Sequence, residues 1–335
     1  MAIPHLSLRA LAVWQRNFRV WRKLALPSIL GNLADPMLYM FGLGYGIGAL
    51  VPQIAGVPYI TFLAAGTICY STMNSATFET LYSSFSRMHV QKTWDAIMNA
   101  PMTLDDVLFG ELIWAVSKSL LSGFAILVVI WLLGLQQSFM LTLWIIPVIM
   151  LTGFCFAGMG LVMNSLSPSY DFFMYYFTLV VTPMVLLGGV FFPPEQLPPL
   201  VQRITQLLPL THSVALARPL LLGQIPSAVG LHSFVLALYG SLSFWLARLR
   251  ENGCDIGSYS GHEPVVRFRT GLRGGRRRAA RSSPPRSASR RPPVPRCRTR
   301  PGTRRASSRR RRSSPPTGAA PTGPAAGSAG PRTRR

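Results

Sequence analysis

Between residues 28 and 247 the chain repeats one pattern, apolar runs approaching or exceeding the roughly 20 residues that a helix needs to cross a bilayer core of about 30 Å. Six candidate spans follow, at about 28 to 50, 59 to 81, 113 to 133, 140 to 163, 171 to 192 and 229 to 247. The fifth and sixth are separated by GGVFFPPEQLPPLVQRITQLLPLTHS. In it Pro193-Pro194, Pro198-Pro199 and Pro209 each remove a backbone donor and interrupt any helix. Irregular backbone at membrane depth persists only where protein or a water-filled cavity satisfies its polar groups, so the segment predicts a cavity or a buried interface. The expected fold is therefore all-α and membrane-embedded. It has six transmembrane helices, an amphipathic interfacial helix before them, and a re-entrant or broken helical segment between spans five and six.

Charge divides the chain. The formal net charge is +23, yet residues 1 to 250 hold 12 Lys plus Arg against 8 Asp plus Glu, whereas residues 251 to 335 hold 22 Arg, no Lys and 3 acids. Within 1 to 27, Leu6, Leu8, Leu11, Trp14, Phe18 and Trp21 recur at mostly helical spacing, while Arg9, Arg16, Arg19, Arg22 and Lys23 supply a cationic face. Such a helix lies in the interface on anionic lipid. The stretch lacks the short apolar region and cleavage site of a signal peptide, so the first span is expected to be retained. The loops 51 to 58 and 134 to 139 contain no Lys or Arg, while the N-terminal helix and the loop 82 to 112 contain both. By the positive-inside rule both termini are cytoplasmic, in a bacterial inner membrane. Arg203 and Arg218 then fall on the outer side, outweighed by the five cations before Leu24. Residues 248 to 335 form an Arg/Pro/Ser-rich tail too poor in apolar residues to bury a core, and disorder is expected. Three readings stand for it: a tail binding anionic lipid or nucleic acid, a plain extension, or a GC-rich gene translated out of frame. The exclusion of Lys in favour of Arg is what the last of these predicts.

No catalytic or metal-binding constellation emerges. Cys69, Cys155, Cys254 and Cys297 form no CxxC pattern, and His5, His89, His212, His232 and His262 are scattered. Lys23, Lys92 and Lys118 each follow a residue other than Gly, so the GxxxxGK[ST] phosphate-binding loop is excluded. Energy for uphill transport must then come from another chain. Asp35, Glu79, Lys118 and Asp171 are the ionisable residues in or near spans. Glu79, Lys118 and Asp171 sit close enough to span ends to reach water, while Asp35, followed by Pro36, lies deeper and suits a cavity or an interhelix hydrogen bond. Gly42, Gly44, Gly46 and Gly48, and Gly153, Ala157, Gly158 and Gly160, form small-residue faces for close helix approach, within the bundle or across a dimer.

The loop HVQKTWDAIMNAPMTLDDVLFGELIWA places an amphipathic piece, Thr93 to Met98, before Pro101, then an N-cap at Thr103 with Asp105 and Asp106 in the next first turn. A short helix held by a proline break suits docking onto a partner. Lys92-Thr93-Trp94-Asp95 and Ala100-Pro101 resemble the coupling loop of ABC-2 type transporter permeases, whose usual pattern is Gly-Thr-(Leu/Trp)-Glu followed by Ala-Pro. Gly188-Gly189-Val190-Phe191-Phe192-Pro193, Leu197-Pro198 and Pro209-Leu210-Thr211 resemble the signature of the same family, most closely its nodulation protein J, or lipooligosaccharide exporter, branch. The resemblance covers residues 1 to about 247 and departs from the family at Lys92 and Asp95. It implies a homodimeric permease that binds no cofactor itself and pairs with an ABC ATPase subunit (NodI-like) carrying ATP and Mg. It also implies a lipochitooligosaccharide substrate, with export of another polysaccharide, glycolipid or drug as the alternative. The coupling residues it implies are Thr93, Trp94, Asp95, Ala100 and Pro101. The gate segment it implies contains Gly188, Gly189, Phe191, Phe192, Pro193, Pro198 and Pro209.

Overall fold

The computed structural model describes residues 7–54 and 56–258, with side chains to residue 251. The expected tail beyond Ser258 lies outside them. Helix α1 (Ala10–Arg22) leads into α2 (Ala25–Leu50), which carries Pro36 in its interior. A minimal hairpin follows, β1 (Gln53–Ile54) pairing antiparallel with β2 (Val57–Pro58), so the all-α expectation is amended by one two-residue ladder. Gly56, at φ +80°, supplies the left-handed turn residue it needs.

Helix α3 (Tyr59–Phe78) is the central element, packed against α2, α5 (Leu104–Leu132), α7 (Ile145–Leu166) and α11 (Pro209–Leu221). It is buried almost all round, and its small residues permit this. A Cβ on Gly66 would stand 2.6 Å from the Val190 carbonyl oxygen, and the buried hydroxyls of Thr67 and Thr72 donate to the Leu63 and Ile68 carbonyls one turn back, both at 2.8 Å. Two π-helical segments, Glu79–Ser84 and Ser86–Val90, extend α3 towards α4 (Thr93–Met98). The Thr103 N-cap is real: its hydroxyl accepts from the Asp106 N–H while the Asp106 carboxylate accepts from the Thr103 N–H, a reciprocal box that starts α5.

The remainder is α6 (Phe139–Leu143), α8 (Asp171–Tyr176), a π turn at Phe177–Val181, and α9 (Thr182–Leu187). A 3₁₀ turn (Pro194–Gln196), α10 (Pro199–Thr205), α11 and α12 (Val229–Ser258) complete it. Among the described residues three helices are long and apolar enough to cross a membrane, Leu104–Leu132, Phe139–Leu166 and Val229–Glu251, with Asp171–Leu187 shorter. The first and second expected spans differ in kind from these. Gly, Asn and Pro dilute α2, and hydroxyl residues and Asn74 dilute α3. Helix α12 continues through residue 248, where the tail was expected to start, because Arg248 is not solvated: its Nε donates to Asp105 Oδ1 at 2.7 Å and anchors α12 to α5. Gly153, Gly158 and Gly160 pack inside the bundle, whereas Gly42 and Gly46 face open space.

Candidate functional site

Helix α3 carries an unusual feature at each end. At its C-terminal end four charges meet in the interior. Arg87 lies between two glutamates, its Nη2 2.9 Å from Glu79 Oε1 and its Nε 2.9 Å from Glu111 Oε1, and Lys118 Nζ sits 2.7 Å from Glu79 Oε2. The two glutamate side chains are 3% and 1% exposed. Two cations and two anions cancel, which is the condition for keeping charges out of water. Indole and amide donors fill the remaining lone pairs: Trp114 Nε1 donates to Glu79 at 2.8 Å, Trp94 Nε1 to Glu111 at 3.4 Å and Asn17 Nδ2 to Glu111 at 3.2 Å.

This cluster joins separate elements. Asn17 belongs to α1, Trp94 to α4, Glu111, Trp114 and Lys118 to α5, and Glu79 and Arg87 to the extension of α3. Outside it, Arg16 donates to Thr93 Oγ1 at 3.3 Å, Arg9 donates to the Pro101 carbonyl, and Ser7 Oγ donates to Asp106 Oδ1 at 2.7 Å. Burial lowers the Arg16 pKa, the Arg87 charge lowers it further, and Glu111 opposes both. Gly110 makes the approach of α1 to α5 possible, since a Cβ there would stand 2.6 Å from Val13 Cβ. Trp94 is buried against Val107 and Leu108, while Asp95, Ala100 and Pro101 are exposed, so this end presents a fixed scaffold with a free polar edge.

At the other end lies the broken segment. Helix α9 stops at Gly188, and Gly189 turns the chain at φ +77°. The carbonyls exposed by the break find side-chain donors. Arg218 donates to Gly189, Tyr59 Oη to Phe191 at 3.2 Å, Gln202 Nε2 to Glu195 at 3.0 Å and Leu197 at 2.8 Å, and Tyr239 Oη to Leu207 at 2.9 Å. His212 Nε2 lies 2.9 Å from the Gln206 carbonyl, so in the neutral ring its Nδ1 is the acceptor, and it lies 2.7 Å from His232 Nδ1. Gly188 and Gly189 are buried, Phe191, Phe192 and Pro193 partly so, Pro198 is exposed, and Pro209 opens α11 as a buried first-turn proline.

Between the two ends a cleft of about 670 Å³ runs along α2, α3, the π turn Phe177–Val181 and α9. Asp35 accepts from Tyr70 Oη at 2.9 Å on its wall, and Asn32, Asn74 and Thr182 add polar groups among Tyr39, Phe78, Phe177 and Phe191. A family model described as ABC-2 type transporter matches residues 9–222. The chain belongs to the ABC-2 type transporter family. This ABC-2 permease is 46% identical over 246 residues to nodulation protein J of Rhizobium meliloti (strain 1021), covering 73% of this chain and 94% of that protein. It is 50% identical over 234 residues to nodulation protein J of Bradyrhizobium diazoefficiens, covering 70% and 89%. The inner membrane transport permease YadH of Escherichia coli (strain K12) is 25% identical over 206 residues, covering 61% and 79%.

The membrane-embedded permease departs from the sequence expectations in two places. Glu79, expected to reach water, is 2% exposed, because its carboxylate is held by Arg87, Lys118 and Trp114. Asp35, expected to lie deep, is exposed on the cleft wall, with Tyr70 as its partner. Sequence reasoning missed Asn17, Arg87, Glu111 and Trp114. A visible signal existed: Asn17 interrupts the apolar stripe of α1, and Arg87 and Glu111 flank one hairpin with opposite charge. Lys92, which stands where the coupling-loop pattern it resembles has Gly, adopts φ +48°, a left-handed conformation that glycine takes without steric cost. Among the described residues no group of three or more His, Cys, Asp or Glu could hold a metal ion.

Proposed function

We propose that this permease is the membrane subunit of an exporter that moves lipochitooligosaccharide nodulation signals out of the cell, driven by ATP hydrolysis on a separate, NodI-like subunit. The carrying observation is the buried network of Arg87, Glu79 and Glu111, because it makes α1, α4 and the adjoining ends of α3 and α5 one mechanical unit. Partner closure pushes on the exposed edge at Asp95, Ala100 and Pro101, and the push passes through Trp94 to Glu111 and on to α3. ATP and Mg stay on the partner; this chain contributes no catalytic residue. In the inner membrane, with both termini cytoplasmic, α2, α3, α5, α7, α8–α9 and α12 serve as six spans, and α1 lies in the interface. Two copies face each other across the cleft, whose aromatic and amide lining suits a sugar headgroup while the acyl chain stays against apolar helix surface. The segment from Gly188 to Pro209 gates the outer side.

The test is co-expression with a nodulation-type ABC ATPase in a strain that makes but does not export the signal. Secreted lipochitooligosaccharide is then measured against that in cells. Secretion equal to the empty strain rejects the substrate, and gain of another glycolipid, polysaccharide or drug outside the cell assigns it elsewhere. For coupling, Asp95→Lys should leave the amount in membranes unchanged and abolish ATP-linked export; full export in that variant rejects Asp95 as a docking residue.

A further inference from the structure

Arg218 is a partly buried cation with no carboxylate within 4.0 Å among the described residues, unlike the four paired charges at the other end of α3. Its guanidinium lies over the Phe62 ring, 3.7 Å from the centroid, one Nη donates to the Gly189 carbonyl, and its Nε is shut off from water with no partner. A guanidinium offers five donors, and leaving them unused away from water is unfavourable. An apolar side chain of similar volume would fill the same space without that penalty. The side chain therefore makes little sense as a fixed strut.

It makes sense as a movable one. Phe62 is on α3, Arg218 is on α11, and Gly189 is the left-handed residue where the chain leaves α9. Rotation of the broken segment about Gly188–Gly189 carries the Gly189 carbonyl away from Arg218 and breaks that hydrogen bond, leaving the guanidinium on the ring with a donor to place. Glu195 is exposed on the 3₁₀ turn that follows the break, no cation among the described residues forms a salt bridge with its carboxylate, and it offers a second seat. Two alternative seats for one charge make a two-state element. We propose that Arg218 is the latch of the broken segment: on Phe62 and the Gly189 carbonyl it holds the segment against α3, and it transfers to the Glu195 carboxylate when the segment opens. The latch rests on the export reading only in treating that opening as the exit for substrate.

The experiment needs no substrate. Val190, 1% exposed beside Gly189, is replaced by Cys in the full chain, and N-ethylmaleimide modification in membranes is followed by peptide mass spectrometry. Cys155, fully buried in α7, is the internal control. Arg218→Met should raise the modification rate at position 190 about tenfold, the loss expected for one hydrogen bond to a charged group, and leave Cys155 unmodified. Arg218→Lys, which keeps the charge and loses the planar fork, should fall between the two. If Arg218→Met does not accumulate, Phe62→Leu, which removes the ring and keeps the apolar volume, should itself raise the rate. With the ATPase subunit and ATP present, Glu195→Gln should reduce the ATP-dependent rise at position 190. An unchanged rate at position 190 in the Arg218 and Phe62 variants, a parallel rise at Cys155, or an unaffected ATP response in Glu195→Gln each overturns the latch. Failed export with these labelling changes intact would count against the substrate alone.

Discussion

Glu111 receives hydrogen bonds from three different elements, through Arg87, Trp94 and Asn17. Its neutralisation would leave a buried cation short of a partner. Glu111→Gln leaves Arg87 sharing one carboxylate in a dry site, and removing one partner of a buried pair costs roughly 3 kcal/mol or more. The expected result is a lower unfolding temperature of the purified protein in detergent, and an unchanged temperature would show that water reaches the pair. Lys92 offers the opposite experiment. Its left-handed backbone at φ +48° costs a side chain about 1 kcal/mol that glycine does not incur. Lys92→Gly should therefore stabilise the protein by about that amount, read in the same thermal measurement, and a loss of stability would mean that the ammonium makes a compensating contact.

At the scale of elements, α3 is a rod of 20 residues, about 30 Å long, with the charge cluster at one end and the latch region at the other. Rods transmit displacement only if their neighbours are in contact, and Gly110 is where α1 meets α5. Gly110→Val should lift α1 from α5, leaving the permease in the membrane with reduced ATP-linked export; normal export would show that α1 is not part of the lever. Local chemistry made several elements legible in the sequence. Thr103 with Asp105 and Asp106 marked the start of α5, Thr93 to Met98 gave the bounds of α4, and Pro198-Pro199 and Pro209 marked where α10 and α11 begin, while α9 stops at Leu187, short of the expected end at 192. The charge cluster left only a partial signal, opposite charges flanking one hairpin, and its pairing was not legible for a physical reason. Arg87 reaches both glutamates because π turns shift its register from that of an ordinary helix, and its partner Glu111 comes from an antiparallel neighbour. Both facts are tertiary. Asp35 shows the converse error: depth in a helix says nothing about which face meets a cleft.

For the whole molecule, the bundle and the Arg-rich region are separable questions, and α12 sets where to cut. Because Arg248 bonds Asp105 and Glu251 is buried, a chain ending at Ser258 should match the full chain in membrane level and export, whereas one ending at residue 247 should lose both through the lost anchor on α5. Immunoblotting of membranes beside the export assay separates the two. A defect in the chain ending at Ser258 would assign the Arg-rich region a role. The buried cluster also fixes how the protein responds to its surroundings. Arg19, Arg22 and Lys23 are exposed, so in the proposed interfacial seat of α1 their attraction to anionic headgroups would fade as ionic strength rises. The Arg87 pairs are enclosed by indole rings, where mobile ions cannot enter. Brine would loosen that proposed seat of α1 on lipid long before it disturbed the gearing within.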